Sequence, residues 1–234
     1  IWGRRDLILT LDLVFHSALQ FVYDGQVQQR GWVEALIPGD AGTGKSTIAE
    51  RMIQHYGAGE LRTGETVSIA GLIGGVDHVG ERMILTWGIL PRNDGRMIVL
   101  DEAHTMKEEV LGSLTGVRSS GIAEVTKIRK MRARARCRLA MIANPVGHHS
   151  SIRSYGAGIR VVSDVIKRPE DVRRFDLVCI AAQNDVDIGY YSQCSRRKPV
   201  DHRYTAEMAN NRSVALLQAG NPGAALEAAS GTDQ

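Results

Sequence analysis

Apolar residues recur along this chain in two rhythms. From Asp6 to Phe21 they fall at helical spacing, at Leu7, Leu9, Leu11, Leu13, Val14, Leu19 and Phe21, and predict a helix. Tyr23 to Gly31 is polar and predicts a connection. Trp32 to Ile37 predicts a short buried strand. Ser46 to Ile53 predicts a helix ending near Tyr56-Gly57-Ala58-Gly59, and Glu65 to Ala70 predicts a second strand. Arg96-Met97-Ile98-Val99-Leu100 is a continuous apolar run that stops abruptly at Asp101-Glu102. That pattern predicts a parallel strand buried on both faces, with acids at the C-terminal end where α/β sheets bind ligands. Arg138 to Ala143 and Leu177 to Ala181 supply two more such runs. Strands alternating with helical stretches predict an α/β fold with a five-stranded, mainly parallel sheet. Beyond Asp185 the chain turns polar, with Ser195-Arg196-Arg197-Lys198-Pro199 as a linker. Met208 to Ala229 then predicts a short helical C-terminal segment, broken at Gly220-Asn221-Pro222-Gly223. The expected division is residues 1–31 as N-terminal helix and linker, 32–185 as core, and 186–234 as linker and partial helical lid.

Composition changes this picture little. A hydrophobic content of 43% supports a real core, and 29 basic against 26 acidic residues leave a net charge of only +3. The whole-chain balance therefore implies no polyanion partner, and only local clustering of charge is informative. Cys137, Cys179 and Cys194 are far apart and form no metal-binding pair, so they read as reduced residues of an intracellular, cytoplasmic protein. No apolar run approaches the length of a membrane span, so no membrane partner is expected. Ile1-Trp2-Gly3-Arg4-Arg5 has no signal-peptide character, and the missing initiator methionine reads as a segment of a longer product.

The candidate chemistry begins with Gly39-Asp40-Ala41-Gly42-Thr43-Gly44-Lys45-Ser46, which fits G-x-x-x-x-G-K-[ST] without a mismatch. It lies between a predicted strand and a predicted helix, where a phosphate-binding loop must lie. Glycines let the main-chain N–H groups point at phosphate oxygens, and the helix N-terminus adds partial positive charge there. Lys45 would meet the β- and γ-phosphates of ATP, and the Ser46 hydroxyl would coordinate Mg²⁺. Asp101 and Glu102 follow about fifty-five residues downstream. Hydrolysis needs an acid to hold hydrated Mg²⁺ and a second carboxylate to orient water, roles that fall to Asp101 and Glu102. Asp101-Glu102-Ala103-His104 also spells the DEAH box of certain helicases. The second motor domain of those enzymes has no counterpart here, so His104 reads as incidental.

Several segments together resemble the AAA+ domain of the minichromosome maintenance (MCM) replicative helicases, from about Ile37 to about Asp176. The loop at Gly39–Ser46 is similar to the family's G-D-P-G-x-[AG]-K-S. Ser68-Ile69-Ala70-Gly71-Leu72 resembles its S-x-x-G-L-T. Gly88 to Met106 follows G-x-L-x-x-A-D-x-G-x-x-x-I-D-E-F-D-K-M without a gap. Ala143-Asn144-Pro145 resembles the A-N-P of sensor 1, and Arg173-Arg174-Phe175-Asp176-Leu177 the S-R-F-D-L of the arginine finger. The resemblance implies a three-layer P-loop AAA+ domain and Mg-dependent ATP hydrolysis between subunits of a homo-oligomer, a hexameric ring. It also implies translocation along DNA, with nucleoid association. A remodelling switch or loader acting on a protein partner is the alternative. Asn144 would position the lytic water. Arg174 would enter the neighbouring subunit's site, although Arg173 occupies the family's serine position and either arginine could act. Their competing role is a surface ion pair with Glu170 or Asp171. Two departures stand out: Arg118-Ser119-Ser120 replaces the family's E-Q-Q, and sensor 2 falls to Arg203 or Arg212 if it is present.

Lys127 to Arg138 holds seven basic residues in twelve. From Arg132 to Arg138 basics alternate with Ala133, Ala135 and Cys137, a period of two that predicts a strand with all its arginines on one face. In the resemblance this stretch covers the presensor hairpin of the central pore. There Lys127, with Arg129 and Lys130 as helpers, would grip the DNA backbone without regard to sequence. The competing expectation is a solvated charged strand that keeps an edge from aggregating.

Overall fold

The computed structural model describes residues 3–80, 82–126, 130–147 and 151–185. The predicted C-terminal helical segment, Arg203, Arg212, Lys127 and Arg129 lie outside the described residues.

Helix α1 (Arg5–His16) leads into a hairpin of β1 (Phe21–Tyr23) and β2 (Gln26–Gln28). The predicted helix is thus cut short. Its last apolar residue, Phe21, belongs instead to the hairpin, whose turn holds Asp24 and Gly25 at φ of 48° and 70°. Asx-Gly with both φ values positive is the turn that matches strand twist.

The core follows: β3 (Ala35–Pro38), α2 (Lys45–Tyr56), β4 (Gly59–Thr63), α3 (Ile69–Leu72), β5 (Gly74–Val79) and β6 (Arg82–Trp87). Next come α4 (Ile89–Arg92), β7 (Met97–Asp101), α5 (Glu108–Ser120), β8 (Ile122–Val125), β9 (Met131–Arg134) and β10 (Arg138–Ala143). The chain then passes α6 (Val161–Val165), α7 (Pro169–Val172) and β11 (Leu177–Val178). Five strands form one parallel sheet in the order β11-β3-β10-β7-β4. After β3 the chain fills one side of the sheet and then crosses to β11 on the other. The loops after β3 and β10 therefore diverge at a switch point, the place where open α/β sheets bind ligands.

Period-two alternation builds the three layers. Ala35, Ile37, Met97, Val99, Ala140 and Ile142 face α1 and α2, packing on Leu7, Leu11, Val14, Ile48 and Ala49. Leu36, Ile98, Leu100, Leu139, Met141 and Ala143 face the opposite way, onto Leu111, Leu114 and Val117 of α5 and Val161, Val162 and Val165 of α6. Each fully buried Leu, Ile or Val contributes about 1.5–3 kcal/mol, so the two apolar faces fix the register of the central strands.

The predicted second strand is misplaced. Glu65 to Ala70 is a turn and the start of α3, where the Ser68 hydroxyl accepts the Gly71 amide and caps the helix. The fifth strand of the sheet is β4, whose Glu60 and Arg62 gave no apolar rhythm because it is an edge strand and only partly buried. The period-two arginine run also divides. β9 pairs with β8 in a separate hairpin, the chain leaves strand geometry at Ala135, and β10 belongs to the main sheet. Arg136 pairs with Asp94 at 2.7 Å, and Arg138 donates to the carbonyls of Ser17 and Gly95 at 2.8 and 2.6 Å. The charges of the run are thus distributed rather than aligned on one face. Cys137 is buried and Cys179 half-buried, and both are free thiols. Among the described residues no helix is long and apolar enough to cross a membrane.

Candidate nucleotide site

Gly39–Lys45 turns sharply between β3 and α2 because glycine stands where the backbone goes left-handed. Gly42 and Gly44 have φ of 75° and 83°, a region costly for other residues. Gly39 answers a different need: a Cβ there would lie 2.5 Å from the Ala181 carbonyl oxygen. The loop is pinned from behind by Asp40, which is buried. Its Oδ1 accepts the Ile152 amide at 2.6 Å and its Oδ2 the Gln183 amide at 2.8 Å. The Asp40 side chain therefore clamps the loop to the segments after β10 and β11.

Lys45 is buried at the first turn of α2. Its ammonium donates to the carbonyls of Gly39 and Asp40 at 2.8 and 2.7 Å, to Thr43 Oγ1 at 3.4 Å and to Asn144 Oδ1 at 3.1 Å. Burial lowers its pKa to about 8, against the opposing pull of Asp101 and Asp40, and nearby Arg4 adds to the depression. Ser46 follows on the same first turn of α2, among the helix's open amides.

Asn144 reaches Lys45 because β10 ends beside β3, with Ala143 in register with Pro38. Asp101 ends β7, and its Oδ1 accepts the Glu102 amide at 2.8 Å. Glu102 itself has φ 52° and ψ 38°. A non-glycine residue held left-handed is strained, and such strain concentrates at functional sites. Gly64 makes this turn possible, since a Cβ there would lie 2.8 Å from the Glu102 carbonyl oxygen and 3.1 Å from that of Asp101.

Two contributors were not legible in the sequence. Gly64 is one. The other is His104, read above as incidental: its Nδ1 accepts the Asn144 amide at 3.2 Å, tying the turn after β7 to the end of β10. Burial and the Lys45 charge lower its pKa, while Glu102 and Asp101 oppose the shift. A neutral ring with Nδ1 as acceptor fits that direction. The only signal in the sequence was the D-E-A-H spelling, which gave no partner.

Arg174 is not part of this cluster. It donates to Ser119 Oγ at the C-terminal end of α5, beside the start of β3. Five residues of extended chain, roughly 16 Å at about 3.3 Å each, separate Glu34 from Gly39. Glu170 and Asp171, the expected ion-pair partners, are taken up by Arg168 at 2.8 and 3.7 Å. Lys130 immediately precedes β9 and pairs with Glu124 at 3.1 Å; Arg132 shares the same carboxylate at 2.7 Å.

A family model for the MCM P-loop domain matches residues 1–188. The chain belongs to the MCM family. It is 25% identical over 184 residues to the DNA replication licensing factor MCM2 of Arabidopsis thaliana, covering 77% of this chain and 19% of that protein. It is 28% identical over 186 residues to an uncharacterized MCM-type protein of Methanocaldococcus jannaschii, covering 74% of this chain and 24% of the relative. A match to the DNA replication licensing factor mcm-5 of Caenorhabditis elegans is 30% identical over 112 residues, or 47% of this chain and 15% of that one. The chain spans a quarter or less of the length of these relatives.

Proposed function

We propose that this chain is an ATP-hydrolysing MCM-type motor whose sites form between neighbouring subunits of a ring, and that hydrolysis drives movement along DNA. The observation that carries this reading is the meeting of Lys45 with Asn144, beside Asp101 and Glu102, at one end of a parallel sheet. The amides of Ala41–Ser46 hold the β-phosphate, while those of Gly39 and Asp40 are held by the carbonyls of Ala143 and Ala181, and Lys45 exchanges loop carbonyls for phosphate oxygens. Glu102 orients a water whose oxygen attacks the γ-phosphorus and takes up its proton. The bond to the bridging oxygen breaks, and ADP leaves with the electron pair. Asn144 fixes the water and the γ-phosphate.

The residues present fit Mg²⁺. Ser46 and Asp101 offer hard oxygens, and among the described residues no cluster of three or more His, Cys, Asp or Glu could hold a metal by itself. Mg²⁺ is ordinarily held in that way, by one or two protein oxygens plus phosphates and water. When bound it neutralises charge on the phosphate oxygens.

Arg174 supplies the remaining cation in trans. Its place at the end of the strands opposite its own phosphate loop, beside the foot of β3, supports this, since a guanidinium there serves a neighbour and not its own subunit. The β8–β9 hairpin presents Lys130 to DNA, with Lys127 and Arg129 just before it in sequence. One observation favours a second reading, an ATP-driven loader acting on a protein: Lys130 and Arg132 are both partly neutralised by Glu124. Steady-state ATP hydrolysis with and without single-stranded DNA, across a salt series, separates the two. Stimulation that fades with salt supports the motor; hydrolysis indifferent to DNA at low salt supports the loader.

A further inference from the structure

The segment Arg118-Ser119-Ser120, where this chain departs from the family's E-Q-Q, faces the turn that carries Arg174. Arg118 is buried against Glu34, with Nε 2.6 Å from Oε2, and its guanidinium lies 4.3 Å over the Phe175 ring. Ser119 is exposed, and its hydroxyl accepts Arg174 Nη1. Arg30 closes the arrangement, donating to the carbonyls of Arg118 and Arg174 at 3.2 and 3.4 Å and to Asp176 Oδ2 at 3.2 Å. Asp176 Oδ2 also accepts the Glu34 amide at 2.9 Å, and the Glu34 carbonyl accepts the Asp176 and Leu177 amides at 2.9 and 3.1 Å. Every residue from Arg174 to Leu177 is therefore tied to the foot of β3 or the end of α5.

The geometry points to Arg118 and Ser119 as positioning residues for the arginine finger: Arg118, braced by Glu34, fixes the turn through Phe175, and Ser119 holds the Arg174 guanidinium itself. The proposal rests on the reading of Arg174 as a finger in trans. A buried ion pair gives up much of its attraction to desolvation, and its advantage over an apolar pair lies in directing geometry. Here the geometry directed is that of the turn next to Arg174. The same elements run on to the nucleotide site, since β3 ends at the phosphate loop and α5 begins just after Glu102. The seat thereby joins a subunit's own site to the finger it offers its neighbour.

The test uses mixtures of full chains. Arg174→Ala subunits keep the hydrolytic residues and lack a finger, whereas Glu102→Gln subunits keep the finger and cannot cut. Turnover on mixing the two establishes action in trans; no turnover defeats the finger reading itself, and the seat falls with it. The seat is tested by adding Glu34→Gln with Arg118→Met, or Ser119→Ala, to the Glu102→Gln donor. Displacing a reacting group by an ångström can cost on the order of a hundredfold, so donors with the altered seat should give at least tenfold less turnover. The same changes in the Arg174→Ala acceptor should leave turnover within twofold, and Ser119→Thr should restore donation. A variant that donates as well as the native chain removes its residue from the seat; both doing so overturns the proposal. Equal losses in donor and acceptor roles also overturn it. If the double variant fails to fold, Ser119→Ala against Ser119→Thr, at an exposed hydroxyl, decides alone.

Discussion

Replacing Arg118 with alanine should be among the more damaging single changes outside the nucleotide site. Glu34 and Arg118 are 1% and 5% exposed, so the substitution strands a carboxylate in the core. Breaking a buried pair from one side costs about 3–5 kcal/mol, and loss of the guanidinium over Phe175 puts this case toward the upper end. For a domain of this size each kcal/mol lowers Tm by about 2–4 °C, so a fall of roughly 6–20 °C is expected. The loss should depend on pH, and its sign can be worked out. Burial already holds the Glu34 pKa above the ordinary value, although Arg118 and Arg30 pull it down. An acid with a raised folded pKa binds its proton more tightly in the fold than in the unfolded chain. Stability is then greatest at low pH and declines as pH rises through the folded pKa. Removing Arg118 raises that pKa further, so Arg118→Ala should lose more at pH 8 than at pH 5. Glu34→Gln with Arg118→Met removes both charges, keeps an acceptor for Trp32 Nε1, and should cost little. Urea unfolding at the two pH values measures all of this. A loss for Arg118→Ala below about 1 kcal/mol, or one equal at pH 5 and pH 8, would refute the assignment of the pair as buried and ionised.

Three further outcomes follow from the site. Because the Lys45 pKa is lowered to about 8, binding a triphosphate, which favours the ammonium, should take up a proton above that pH; affinity should fall as pH passes 8, and calorimetry in buffers of different ionisation enthalpy reads the uptake. Glu102→Gly should abolish turnover while leaving Tm unchanged or higher, since relief of the left-handed backbone offsets about 1 kcal/mol, and a clear drop in Tm would contradict the strain. Glu124→Gln releases Lys130 and Arg132 together and should tighten single-stranded DNA binding several-fold at low salt with a steeper salt slope; unchanged binding in fluorescence anisotropy would remove the hairpin from the DNA path.

Much of the fold was legible where one physical demand dominates. Met97–Leu100 and Leu139–Ala143 are apolar at every position because both sheet faces are covered, and Gly42 and Gly44 stand where the backbone turns left-handed, a conformation costly for any other residue. β4 was illegible because an edge strand meets helices less completely, so Glu60 and Arg62 look like loop residues. The end of α1 was misread because Leu19 and Phe21 keep the helical spacing after the helix has stopped at Ser17. Contacts between distant segments left no trace either. His104 meets Asn144 across forty residues, and Asp40 meets Ile152 and Gln183 across more than a hundred. The arginine alternation was real as a burial pattern, but period two could not say that two separate strands share it.

The central claim is that main-chain amides around Lys45 grip the phosphates of ATP and that this grip depends on the lysine. Titrating ATP·Mg into the native chain and into Lys45→Ala in a calorimeter tests it most directly. Saturable one-site binding by the native chain, lost or weakened at least tenfold in Lys45→Ala, is the predicted result. Equal heats from the two proteins, or none from either, would contradict it.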